Sequence, residues 1–137
     1  MLKTLITYLL GFTFTSAIDF VWHILLFGKI YSEGMKNVGN VVDGQLKING
    51  LTGILSQIFV VGAISFLVLY KNTELNYLDG ALRGAAGGIL AITVYGLVNH
   101  AFIKGWGLDI TILEVVWGPI IGACSGVFIT WITKTLA

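Results

Sequence analysis

The sequence predicts an all-α fold, four transmembrane helices in an up-down bundle, and three observations predict it. Charge is scarce: 15 of the 137 residues are Asp, Glu, Lys or Arg, which is 11%, against about 25% in soluble domains. Hydrophobic residues make up 56% of the chain, and the mean hydropathy is +0.90. The few charges are unevenly placed and leave long uncharged runs between them. A soluble domain of this length could not cover its surface with so few. The same composition excludes intrinsic disorder. A single cysteine, Cys124, excludes a disulfide scaffold. A net charge of +1 offers no basic field to nucleic acid. The length fits one membrane domain, residues 1–137.

A bilayer core about 30 Å thick needs roughly 20 apolar residues at about 1.5 Å each. Between Lys3 and Lys29 the only charged residue is Asp19, and no charge falls within 48–70, 84–103 or 115–133. These runs predict spans at about 4–28, 50–70, 80–103 and 110–134. In hydrocarbon every backbone N–H and C=O needs an internal partner, which leaves helices or a closed barrel. Barrel strands alternate polar and apolar residues, and Ile58-Phe59-Val60-Val61-Gly62-Ala63-Ile64 does not.

The first span begins like a cleavable signal, with Lys3, the apolar stretch Leu5–Leu10 and the small residues Thr15-Ser16-Ala17. Its apolar run continues to Phe27, long enough to span, so an uncleaved helix is expected. The connection 29–49 is polar and glycine-rich and belongs in water or among headgroups. The connection 71–79 is short and charged, and makes the second and third spans antiparallel neighbours. The connection 104–109 carries Trp106, an expected interfacial anchor. Lys3, Lys71, Arg83 and Lys134 fall on one side, and Lys29, Lys36, Lys47 and Lys104 on the other. This is a tie under the positive-inside rule. Lys3 and the second connection flank their spans closely, which favours both termini inside.

Lipid tails are as apolar as leucine, so close backbone approach and hydrogen bonds must hold such helices together. The third span carries Gly80, Gly84 and Gly88, and the fourth Gly118, Gly122 and Gly126, each set on one helix face. Packing within the bundle is expected, with a homodimer seam as the alternative. Pro119 frees the carbonyl one turn earlier, near Val115, and predicts a kink there. Cys124, among Ala123, Ser125 and Gly126, reads as an inert buried thiol.

The polar residues inside the spans carry the functional expectation. A carboxyl at mid-span costs about 2.5–3.5 kcal/mol on insertion scales, so Asp19 should have a partner. His23 lies one turn away on the same face, with Trp22 beside it. Counting about 1.5 Å per residue from the nearest helix end, Asp19 lies roughly 13 Å deep, His23 roughly 7 Å, Asn99 and His100 roughly 5 Å, and Glu114 roughly 6 Å. In an up-down bundle those ends share one side, so Asp19, His23, Tyr95, Asn99, His100 and Glu114 should share one leaflet. Three readings follow: groups that pair and glue the helices, a pocket or proton-linked path for a small molecule, lipid or ion, and a catalytic or metal site. The metal reading has oxygen and nitrogen donors but no H-E-x-x-H or Cys/His cluster. Gly84-Ala85-Ala86-Gly87-Gly88 lacks the Lys-Ser/Thr of a phosphate loop, and no Gly-x-Ser-x-Gly elbow occurs.

The stretch Asn99-His100-Ala101, then Gly105-Trp106, Thr111 and Trp117-Gly118, resembles the C-terminal half of a family of small bacterial membrane proteins, domain of unknown function 2177. Asp19, Trp22, Tyr31 and Arg83-Gly84 are similar to its pattern as well. The resemblance covers most of the chain and implies a four-helix protein of the bacterial inner membrane, without adding a reaction. Members often have Tyr-Asp where this chain has Tyr95-Gly96, and often Asp where it has Glu114.

The expected role is a small membrane protein that binds or handles a lipid or other small molecule. Its pocket would be formed by Asp19, Trp22, His23, Tyr95, Asn99, His100, Glu114 and Trp117. The alternative is a structural or accessory subunit, and a membrane enzyme comes third. No metal, cofactor or nucleic acid is expected. The expected partners are membrane lipid and either a second copy or a larger membrane complex.

Overall fold

A computed structural model describes residues 2–72 and 76–137. Residues 73–75 of the second connection lie outside the described residues. The order is α1 (Leu2–Phe20), a wide π turn (Val21–Leu26), α2 (Gly28–Gly34), a hairpin of β1 (Val41–Val42) and β2 (Gln45–Leu46), α3 (Gly50–Leu69), α4 (Tyr77–Gly88), a second π turn (Ile89–Thr93), α5 (Val94–Phe102) and α6 (Leu108–Leu136). Four helical stretches are long and apolar enough to cross a membrane: Leu2–Leu26, Gly50–Leu69, Tyr77–Phe102 and Leu108–Leu136. The protein is an all-α membrane protein with four spans.

Local chemistry sets the helix ends. Asn49 and Asn76 accept from the amides of Thr52 and Asp79, at 3.3 and 2.7 Å, and so satisfy orphan donors at the starts of α3 and α4. Arg83 holds Asp79 at 2.8 Å and donates to the Tyr70 carbonyl at 2.9 Å, placing a cation at the C-terminal end of α3. The spans form a ring in which α1 packs on α3 and α6, α3 on α4, and α4 most closely on α6. Lys3 Nζ donates to the Ala137 carbonyl at 3.0 Å, so the two ends of the chain meet.

The closest seam is backbone on backbone. A Cβ built on Gly84 would strike the Gly122 carbonyl oxygen, one on Gly88 the Gly118 carbonyl oxygen, and one on Gly126 the Gly80 carbonyl oxygen. The two glycine grooves therefore fill each other inside the bundle. Hydroxyls add the remaining glue. Thr15 donates to Ser125 at 2.8 Å between α1 and α6, and Tyr8 to the Ile58 carbonyl at 2.6 Å between α1 and α3. α6 runs on through Pro119 without a break. The Val115 carbonyl that Pro119 leaves free accepts from Thr93 Oγ1 at 3.3 Å, so a neighbouring span replaces the missing bond.

Three expectations are corrected. Cys124 is exposed, because Gly122, Ser125 and Gly126 claim the inward face of α6 and turn the thiol outward. Trp106 is buried: the chain reverses at Gly105 (φ +91°) and folds the indole against Tyr31 and Ile110. The connection 29–49 does not lie wholly in water or among headgroups: Tyr31 and Ser32 of α2 are buried, and Asp43 (φ 52°) and Gly44 (φ 73°) close its hairpin.

Gly84→Ala or Gly122→Ala should lower bundle stability by about 1–3 kcal/mol. Gly62→Ala should cost nothing, since a Cβ there meets only Tyr8 Oη, at 3.9 Å. Thermal unfolding in detergent checks both, and equal melting temperatures for all three variants would refute the seam. Thr93→Val should cost about 0.5–1.5 kcal/mol in the native background. In a Pro119→Ala background, where Val115 regains its own amide partner, a double-mutant cycle should show that cost shrinking.

Candidate functional site

The site is built where α1 leaves regular α geometry. The amide of Phe27 reaches back to the Trp22 carbonyl at 3.0 Å, five residues away, so the turn is wide. Such turns recur at functional sites. Here the wide turn carries Trp22 and His23, and Asp19 lies just before it.

Asp19 is held from three sides. Its Oδ1 accepts from Trp117 Nε1 on α6 at 2.8 Å, and its Oδ2 from Gln57 Nε2 on α3 at 2.5 Å. His23 Nδ1 lies 3.1 Å from the same Oδ1 and 3.0 Å from the Asp19 backbone carbonyl. The other ring nitrogen of His23, Nε2, lies 3.2 Å from Glu114 Oε1. Tyr31 on α2 donates to that oxygen at 2.8 Å. Burial, followed by the Glu114 carboxylate, pushes the Tyr31 phenol above the ordinary tyrosine range. It therefore stays a neutral donor throughout the physiological range. Glu114 and Tyr31 are both buried. Two acids, one imidazole and one phenol from α1, α2 and α6 thus form a continuous polar chain.

This chain lies along a cavity of about 540 Å³ between α1, α2, the hairpin and the starts of α3 and α6. The volume lies within the range of small-molecule sites. The walls are mainly apolar, among them Phe12, Phe20 and Ile54, and Asp19, His23 and Glu114 line it. Three other lining side chains carry a buried polar atom with no partner among the described residues: Ser16 Oγ, Gln57 Oε1 and Trp106 Nε1. Buried polar atoms are seldom left unpaired.

The residues singled out in the sequence separate here. His23 touches both Asp19 and Glu114. Trp117 and Trp22 stack behind Asp19, with ring centroids 4.3 Å apart and planes at 8°. Tyr95 lines the cavity and meets Trp106 edge-on at 5.9 Å. Asn99 and His100 are not among the lining residues, and His100 is exposed. Tyr31 and Gln57 are the site residues missed as side chains of a pocket. Gln57 was hidden by being neutral within a charge-free run. Tyr31 was hidden in a connection read as solvated, although its place in the resemblance was a signal. Among the described residues no group of three His, Cys, Asp or Glu could hold a metal ion.

Asp19→Ala strips the partners from Trp117 Nε1 and Gln57 Nε2 and should cost about 1–3 kcal/mol. Asp19→Asn keeps an acceptor for Trp117 and should cost less than half as much. Melting temperatures of the two variants in detergent check the order, and a larger loss for Asp19→Asn would refute it.

No curated protein and no solved structure matches the chain. The family model described as predicted membrane protein, DUF2177, matches residues 4–131, and the chain belongs to that family.

Proposed function

We propose that the protein binds a lipid or other small molecule in this cavity, within one leaflet of the cytoplasmic membrane of a bacterium. One observation carries the reading: the ionisable chain of Asp19, His23 and Glu114 lines an open, mainly apolar cavity instead of closing between helices. Purely structural polar groups gain most when packing seals them from competing partners. The resemblance to small bacterial membrane proteins supports the location, and membrane lipid is the nearest partner.

A second reading keeps specific support. Asp19 joins α1 to α3 through Gln57 and to α6 through Trp117, so the network also locks helices. In that reading the protein is a structural or accessory subunit, and a second copy or a larger complex would supply its role.

Native mass spectrometry in mixed lipid micelles separates the two. The native chain should retain one small molecule or lipid per copy. Ile54→Trp, which fills the cavity from a half-exposed wall position, should lose it. Equal retention by both proteins would sink the cavity reading. Asp19→Ala, His23→Ala and Glu114→Ala variants that lose thermal stability but retain the same ligand would establish the structural one.

A further inference from the structure

We infer that the head of the bound molecule is a primary ammonium, so that the cavity takes a monocationic amphiphile, a free alkylamine. The inference rests on the cavity reading above.

Asp19 comes from α1 and Glu114 from α6; the groups around them are His23 from the first wide turn, Tyr31 from α2, Gln57 from α3, Tyr95 from α5 and Trp117 from α6. His23 is the one basic side chain in that set. The ion pairs of lysine and arginine among the described residues run elsewhere, from Lys29 to Glu33 and from Arg83 to Asp79. Even with the imidazole fully charged, two ionised acids leave a net charge of −1. An uncompensated charge facing a low-dielectric cavity is costly. A bound monocation removes the deficit.

Hydrogen bonding then selects the kind of cation. Glu114 Oε1 takes both His23 and Tyr31, while among the described residues no hydrogen bond reaches Oε2. Gln57 spends its N–H on Asp19 and leaves Oε1 without a donor. Both vacancies are acceptors. An ammonium brings three N–H donors, a quaternary amine brings none, and a carboxylate head would add like charge. Trp106, 8% exposed, lines the same cavity with an indole N–H that has no acceptor. A hydroxyl or ester oxygen next to the amine would answer it. Phe12, Phe20 and Ile54 provide the apolar wall for a chain.

The test compares dodecylamine, dodecyltrimethylammonium, dodecanol and dodecanoate on the purified full chain in nonionic detergent, read by tryptophan fluorescence. Dodecylamine should bind roughly tenfold or more tightly than dodecanol, a difference of about 1.4 kcal/mol. Dodecyltrimethylammonium should fall between them and dodecanoate last. Glu114→Gln and Asp19→Asn should erase the preference, with Ile54→Trp weakening every probe. Equal binding of dodecanol or dodecanoate, or a preference that survives in Glu114→Gln, overturns the ammonium assignment and leaves the cavity reading standing. Failure of every probe to bind overturns both.

Discussion

In a solvent of acyl chains a leucine gains little by moving from lipid to protein, so this bundle can be fixed only where backbones approach closely or polar atoms pair. The seam of α4 on α6 is the first kind of place. Gly80, Gly84 and Gly88 face Gly118, Gly122 and Gly126 at distances no side chain could share. Because this contact leaves no slack, it sets the height and rotation of α6 against the third span. That in turn sets where Glu114 and Trp117 point. The wide turn Ile89–Thr93 follows directly from the seam and delivers Thr93 to the carbonyl freed by Pro119. A proline in mid-span, which would cost a helix its regularity, is thereby absorbed by a neighbour.

The polar chain is the second kind of place, and its two roles do not exclude each other. The bonds that hold Asp19 to Gln57 and Trp117 also fix its carboxylate to within a narrow range of positions. A binding site gains from such support, because a head group meets acceptors that need not reorganise. The same network is therefore the reason α1 can carry an acid at depth and the reason that acid is presented consistently to the cavity. What distinguishes a site from a lock is the unfinished part: one oxygen of Glu114 without a donor and unpartnered atoms on Ser16, Gln57 and Trp106.

The fold was legible because a bilayer imposes one length and one composition on whatever crosses it. Asp19 and Glu114 were legible because an acid next to or within an apolar run is costly and stands out. The depth count assigns both to one leaflet, at roughly 13 and roughly 6 Å, without any contact information. The glycine grooves were legible from spacing alone. What stayed hidden depended on the connections and on neutral side chains. Val41-Val42-Asp43-Gly44-Gln45-Leu46 contains the Asp-Gly pair of a tight hairpin, yet its polarity reads equally as a solvated loop. Tyr31 becomes a partner of Glu114 only after α2 folds back over the end of the bundle, a tertiary event with no local signature. The two π turns have none either, since each follows from how the spans meet, and the first displaces the end of the span inward from the residue that charge counting suggests.

One departure from the family pattern gains a physical meaning from this packing. Gly96 stands where the resemblance implies an acid, and a Cβ built there would lie 2.6 Å from the Cβ of Glu114. The conflict is between stems, so shortening Glu114 to aspartate would not relieve it. A side chain at 96 therefore demands that α5 stand further from α6. Such a shift would move Tyr95, which lines the cavity beside the acids. In this chain the missing acid at 96 and the close approach of α5 are one choice. It leaves Asp19 and Glu114 as the acids of the cavity, with His23 held between them.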